Sequence, residues 1–143
     1  MRRGVTLLEL LIVIVITTLL ASMALPAIGA LHDRLAVDAV TEAVVAAHTR
    51  ARLVAVVERR VAVLTLTADS LVIRIIEAPA DTVLRWRGEG PTAQGVAVTG
   101  MPRSLLVGPS GAAMGVANGT YVLTRGAARR QVIVSRYGRI RVL

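Results

Sequence analysis

One carboxylate, Glu9, stands in an otherwise uncharged apolar run from Val5 to about Leu25, with Gly4 immediately ahead of it and Arg2 and Arg3 ahead of that. A charge inside a segment that can enter lipid is costly unless it finds a partner, so Glu9 is a functional candidate by default. At the other end of the chain Arg139 and Arg141 alternate with Ile140 behind Gly138. On a strand, two such guanidinium groups share a face about 6–7 Å apart, with Ile140 and Val142 turned inward. Placed so, they can contact successive phosphates without reading bases, and Arg125, Arg129, Arg130 and Arg136 could extend the patch.

Catalytic chemistry finds few candidates. There is no cysteine, and His32 and His48 have no paired carboxylate at metal-ligand spacing, so neither a metal nor another cofactor is expected. Gly108-Pro109-Ser110-Gly111-Ala112 lacks the last glycine of a nucleophile elbow, and Gly88-Glu89-Gly90 does not extend to GxGxxG. Without lysine no Walker A loop is possible, and Asp69, Glu77 and Asp81 are too scattered for a calcium loop. An enzyme is not expected. Asn118-Gly119-Thr120 fits a glycosylation sequon but reads better as a turn.

The elements that must carry these residues follow from pattern. At about 1.5 Å per residue the run from Val5 to Leu25 reaches about 30 Å, enough to cross a bilayer core. Thr17, Thr18 and Ser22 are its only other polar residues. Arg2 and Arg3 hold the N-terminus in the cytoplasm, which sends the remainder outward. A cleaved secretory signal, a twin-arginine signal and a plain anchor compete for this segment. The first sets a charge in its apolar core and Pro26 close behind the cut; the second has only the Arg pair; the third leaves Glu9 unpaired in lipid.

Pro26 and Gly29 can kink a helix without ending it. Beyond them Val37, Val40, Val44, Ala47, Ala51 and Val54 recur at steps of three and four, opposite Thr41, Glu42, Thr49 and Arg52, which predicts a helix packing on a sheet. After Arg60 the period becomes two. Strands are predicted at 61–67 and 71–76 as a hairpin, at 82–87 with Arg85 and Arg87 opposite Trp86, at 96–99 and at 105–107. A second hairpin, 120–124 with 130–135, turns through 125–129, and a last strand runs from Arg139 to Leu143. The fold class is α+β, a long N-terminal helix, transmembrane at first, packed on an antiparallel β-sheet.

Composition bounds the rest. A chain of 143 residues leaves room for one soluble domain of about 100 residues, stabilised by packing rather than disulfides. The formal charge is +8, and every basic residue is arginine. No acidic residue follows Glu89, whereas Arg103, Arg125, Arg129, Arg130, Arg136, Arg139 and Arg141 do, an asymmetry that suggests an anionic partner.

Gly4 followed by Val5-Thr6-Leu7-Leu8-Glu9-Leu10-Leu11 resembles the class III signal of type IV pilins and of type II secretion pseudopilins. The resemblance implies that a prepilin peptidase cuts after Gly4 and methylates Val5, where the family usually has Phe. Glu9 then corresponds to the family's glutamate and Pro26 to its helix-kinking proline. In physical terms, a subunit leaving lipid carries Glu9 in need of a cation, which a neighbouring chain's amine at Val5 could supply. The alternative is that Glu9 stays protonated or snorkels. At the C-terminus Val132-Ile133-Val134-Ser135-Arg136-Tyr137-Gly138-Arg139-Ile140-Arg141 looks like the closing strands of the GspH/FimT group of minor pseudopilins and minor pilins.

The resemblance implies a leader at 1–4, a transmembrane helix at 5–25, a periplasmic continuation of the helix at 26–60 and an antiparallel β domain at 61–143. It also implies other pilins or pseudopilins as filament partners and a single span of the bacterial inner membrane. In FimT-like members a Gly-Arg-x-Arg pattern is associated with DNA binding, so Gly138, Arg139 and Arg141, with Arg136, Arg130 and Arg129, become DNA candidates. The same pattern has an ordinary reading as a solvated or subunit-facing strand.

Overall fold

In the computed structural model, residues 6–78, 81–101, 103–115, 118–135 and 137–143 are described, with the side chain of Ala24 left out. Among these residues one helix, α1 (Leu7–Glu58), is followed by nine strands: β1 (Ala62–Leu66), β2 (Ser70–Ala78), β3 (Asp81–Glu89), β4 (Ala97–Thr99), β5 (Arg103–Val107), β6 (Ala113–Met114), β7 (Gly119–Arg125), β8 (Ala128–Val134) and β9 (Ile140–Val142). A 3-10 turn, Pro91–Gln94, precedes β4. The chain divides into two compact units, residues 1–32 and Asp33–Leu143.

The first unit is helical from Leu7 on. Thr6 caps it, its Oγ1 accepting the amide of Glu9 at 3.2 Å. This sets the spacing of a capping box and places the Glu9 carboxylate at the positive end of the helix dipole. Pro26 lies inside α1 and does not end it. Every residue from Thr6 to His32 whose side chain is described is exposed.

The second unit holds the core. Val37, Val40, Val44, Ala47 and Ala51 are buried as their spacing predicts, joined by Ala36 and Ala55. Val54 is only half-buried, because the 3.6-residue period carries the stripe to Ala55 by the last turn. Thr41, expected on the outer face, is buried; its hydroxyl donates to the Val37 carbonyl at 2.7 Å, so no polar atom is left unanswered. The helix ends where Arg59 turns left-handed (φ 52) and the Arg60 amide bonds the Ala55 carbonyl at 3.2 Å, a Schellman-type stop.

The strands form two antiparallel sheets rather than one: a five-stranded sheet in the order β3-β2-β1-β5-β6 and a four-stranded sheet in the order β4-β7-β8-β9. The α1 stripe packs with Leu64, Leu66, Leu71 and Ile73 of the first and Tyr121, Leu123, Val132 and Val134 of the second. Both predicted hairpins form. In the second, Arg125 pairs with Ala128, so the turn is only Gly126-Ala127, not the five residues expected, with Gly126 at φ 54. The two-residue β6 and the 3-10 turn were not predicted; neither is long enough to show a period.

In β3 the register slips opposite Ile73 and Arg74, leaving Arg85 unpaired as a bulge. The alternation resets there, so Arg85 is not opposite Trp86 as predicted. Both reach α1: Arg85 grips Glu58 (Nε–Oε1 2.8 Å, Nη2–Oε2 2.9 Å), and the Arg50 guanidinium lies 5.0 Å from the Trp86 ring centroid.

Candidate functional site

Two surfaces carry the chemistry anticipated above. The first is the exposed apolar start of α1, whose mean hydropathy reaches 2.5 with no part of that stretch buried. Its hydroxyls are answered within the helix: Thr17 donates to the Val13 carbonyl at 2.8 Å, Thr18 to Ile14 at 2.9 Å and Ser22 to Leu19 at 2.7 Å. The Glu9 carboxylate has no hydrogen-bond or ion-pair partner among the described residues. It is therefore the one polar group of the apolar run that the helix itself does not satisfy. Gly4 and Val5, with Arg2 and Arg3, lie outside the described residues.

The second surface is the four-stranded sheet, and strand alternation divides the predicted arginine cluster in two. Tyr121 opposes Val132 and Leu123 opposes Arg130, so Arg130 is on the face turned to α1, as is Arg125 opposite Ala128. Arg130 Nε meets Asp38 Oδ1 at 2.7 Å, and Arg125 Nε meets Asp33 Oδ1 at 3.0 Å. Arg125 also donates to the Gln94 carbonyl. Arg130 thus leaves the predicted patch, and the hydrogen bond and charge of Asp38 raise its guanidinium pKa further. Arg136 lies outside the described residues.

Arg129 opposes Thr124, and Arg141 opposes Ile133, on the outer face. Arg139, whose carbonyl accepts the Ser135 amide at 2.9 Å, falls in the same outward phase. These three are exposed, with no ion pair among the described residues. Gly138 makes the turn that delivers Arg139 and Arg141, at φ 74 with its amide on the Ser135 carbonyl at 2.9 Å. Ile140 packs on the core as predicted, but Val142, on the edge strand, is 45% exposed.

Sequence reasoning missed the carboxylates that claim Arg125 and Arg130. Asp33 and Asp38 stand on the helix far ahead of the basic tail, and their only signal was that an acid-free stretch after Glu89 must find its counter-charges somewhere. Glu58 plays the same part for Arg85, whose hydrogen bond holds the Glu58 carboxyl below its usual range.

His48 is a packing residue. Its ring lies 5.9 Å from that of Tyr121, and burial, then the charge of Arg103, brings its pKa down to about 4. Burial pushes Tyr121 up to about 12. His48 Nε2 and Tyr121 Oη are buried without a hydrogen-bond partner among the described residues. Among the described residues no group of His, Asp and Glu could hold a metal ion.

Residues 1–25 match the family of the prokaryotic N-terminal methylation motif. That motif covers the start of the one long helix, which antiparallel sheets follow, the arrangement of a pilin-like fold. Among solved structures the fold is similar to the type IV minor pilin FimU of Pseudomonas aeruginosa PAO1, with a TM-score of 0.64 and 18% identity over 77% of this chain and 90% of that one. A second crystal form of FimU gives 0.60 and 18% over 74% and 91%. No curated protein matches the chain in sequence.

Proposed function

We propose that the chain is a structural minor subunit of the GspH/FimT kind, in a type IV pilus or a type II secretion pseudopilus. A prepilin peptidase cuts it after Gly4 and methylates Val5. Residues 5–25 then hold it in the inner membrane as a single span with a cytoplasmic N-terminus, 26–60 continue the helix into the periplasm, and 61–143 form the β domain.

The observation that carries this reading is the bare apolar surface from Leu7 to Leu31, with Glu9 as its one unanswered polar group. Such a surface is stable in lipid or against other helices, and assembly exchanges the first for the second. Glu9, meeting a neighbour's Val5 amine, would set the axial stagger, with Pro26 shaping the helix above it. Glu9→Ala and Glu9→Asp are expected to lower incorporation into sheared filaments, Ala more than Asp; equal incorporation of both with the parent chain removes the registry role. Neighbouring genes would separate the secretion assignment from the pilus one.

A second reading, DNA binding by a FimT-like minor pilin, is favoured by one observation. Arg129, Arg139 and Arg141 share the outer sheet face, and no carboxylate among the described residues neutralises them. In a mobility-shift assay Arg139→Ala and Arg141→Ala should each reduce the salt slope by about 0.9, whereas Arg130→Ala should not. Absence of binding by the parent protein at low salt sinks this reading.

A further inference from the structure

Beside α1 the β-bearing unit leaves an open groove of about 1040 Å³. The flank of α1 carrying Ala46, Thr49 and Leu53 lines one side, and Trp86 and Pro91 line another. Leu53 is 61% exposed, so apolar surface is left uncovered there. The Trp86 ring is held along its own strand by Gly88, where a Cβ would lie 2.5 Å from the ring's Cη2. The groove is apolar, pre-shaped and edged by charge.

That charge is unlike the rest of the molecule. Asp38, Glu42 and Glu89 line the groove against Arg50 and Arg130, in a protein whose formal charge is +8. Arg130 is taken by Asp38 and Arg50 lies over Trp86, whereas Glu42 and Glu89 have no ion-pair partner among the described residues. An occupant must therefore bring cations beside apolar groups. One surface of that character is already present: the outer β8–β9 face at the edge of the second sheet, where Arg141 lies opposite Ile133 and Arg129 and Arg139 share the same face.

We propose that this groove docks the outer β8–β9 face of a second copy of the chain, with Arg139 and Arg141 meeting Glu42 and Glu89 while Ile133 covers Leu53 and Trp86. The groove and the face are different surfaces, so the contact is head-to-tail: each added copy leaves one groove and one arginine face open. Repulsion between the net charges is screened beyond about 8 Å at physiological salt, whereas the facing acids and bases act at contact. The contact goes beyond the filament reading and does not use Glu9.

The chain has no cysteine, so introduced thiols are unique. Two tagged full-length versions, one carrying Glu42→Cys and the other Arg141→Cys, are to be co-expressed and oxidised in membranes. A mixed disulfide dimer is expected in roughly tenfold excess over that formed when Arg74→Cys, on the other sheet, replaces Arg141→Cys. The double reversals Glu42→Arg with Glu89→Arg, and Arg139→Glu with Arg141→Glu, should each abolish self-association as read by co-purification. Mixing the two reversed proteins should restore it. Equal cross-linking at position 74, or self-association indifferent to both reversals, overturns the proposal. In a Glu9→Ala background the cross-link should persist, which separates failure of this contact from failure of filament assembly.

Discussion

Two side-chain polar atoms in the core, His48 Nε2 and Tyr121 Oη, lack partners among the described residues, and they set the sharpest expectations at the scale of single residues. His48 is neutral in the fold: its pKa falls from 6.5 to about 4 through burial and, secondarily, the charge of Arg103. The unfolded chain takes up a proton below about 6.5 and the folded one only below about 4. Stability is therefore expected to fall as pH drops through this window, by up to about 3 kcal/mol. Denaturant unfolding between pH 7 and 5, above the range of most carboxylates, should show this slope for the parent protein and a flatter one for His48→Leu. Tyr121→Phe removes an unanswered hydroxyl and should leave the unfolding midpoint unchanged or raise stability by about 1 kcal/mol. None of this was legible in the sequence, where His48 reads as a surface or packing residue and its neighbour on β7 is unknown. Glu9 is the opposite case: a carboxylate in an apolar run announces itself, and no described residue pairs with it.

Among the elements, periodicity was a reliable guide where one face is buried and a poor one where the backbone departs from ideal repeat. The α1 stripe was readable from Val37 to Ala51, and both hairpins were readable from alternation. The bulge at Arg85 was not, because a register slip changes facing without changing composition. The small residues of the stripe explain how the helix lies close against both sheets. Ala51→Leu should overpack this interface and destabilise the fold by about 1–3 kcal/mol, whereas Ala39→Leu, on an exposed turn of the same helix, should stay within about 0.5 kcal/mol. Thermal unfolding of the two variants decides; equal effects would mean that Ala51 is not at a close contact.

At the scale of the whole molecule, the division at residue 32 places the core entirely in Asp33–Leu143. A protein beginning at Asp33 should therefore remain soluble without detergent and unfold in one cooperative transition; a broad, non-cooperative melt would show that the preceding residues are needed for the fold. The fold class was legible from the sequence because one change of period, near Arg60, separates helix from strands. The division into two sheets was not, since strand order depends on pairings between distant segments such as β1 with β5. The basic C-terminal face was half legible: alternation from Arg139 into β9 gave Arg139 and Arg141, while the loss of Arg130 to Asp38 depends on a contact across 92 residues.

The same contacts have a mechanical meaning. Asp33 and Asp38 hold the second sheet by Arg125 and Arg130 near one end of the packed part of α1, and Glu58 holds the first sheet by Arg85 at the other. A pull along the helix axis loads these ties in parallel, together with the alanine-lined packing between them. Bonds sheared together share a force that bonds opened one after another would meet singly, so the domain is fastened to its helix like a lap joint rather than a zipper.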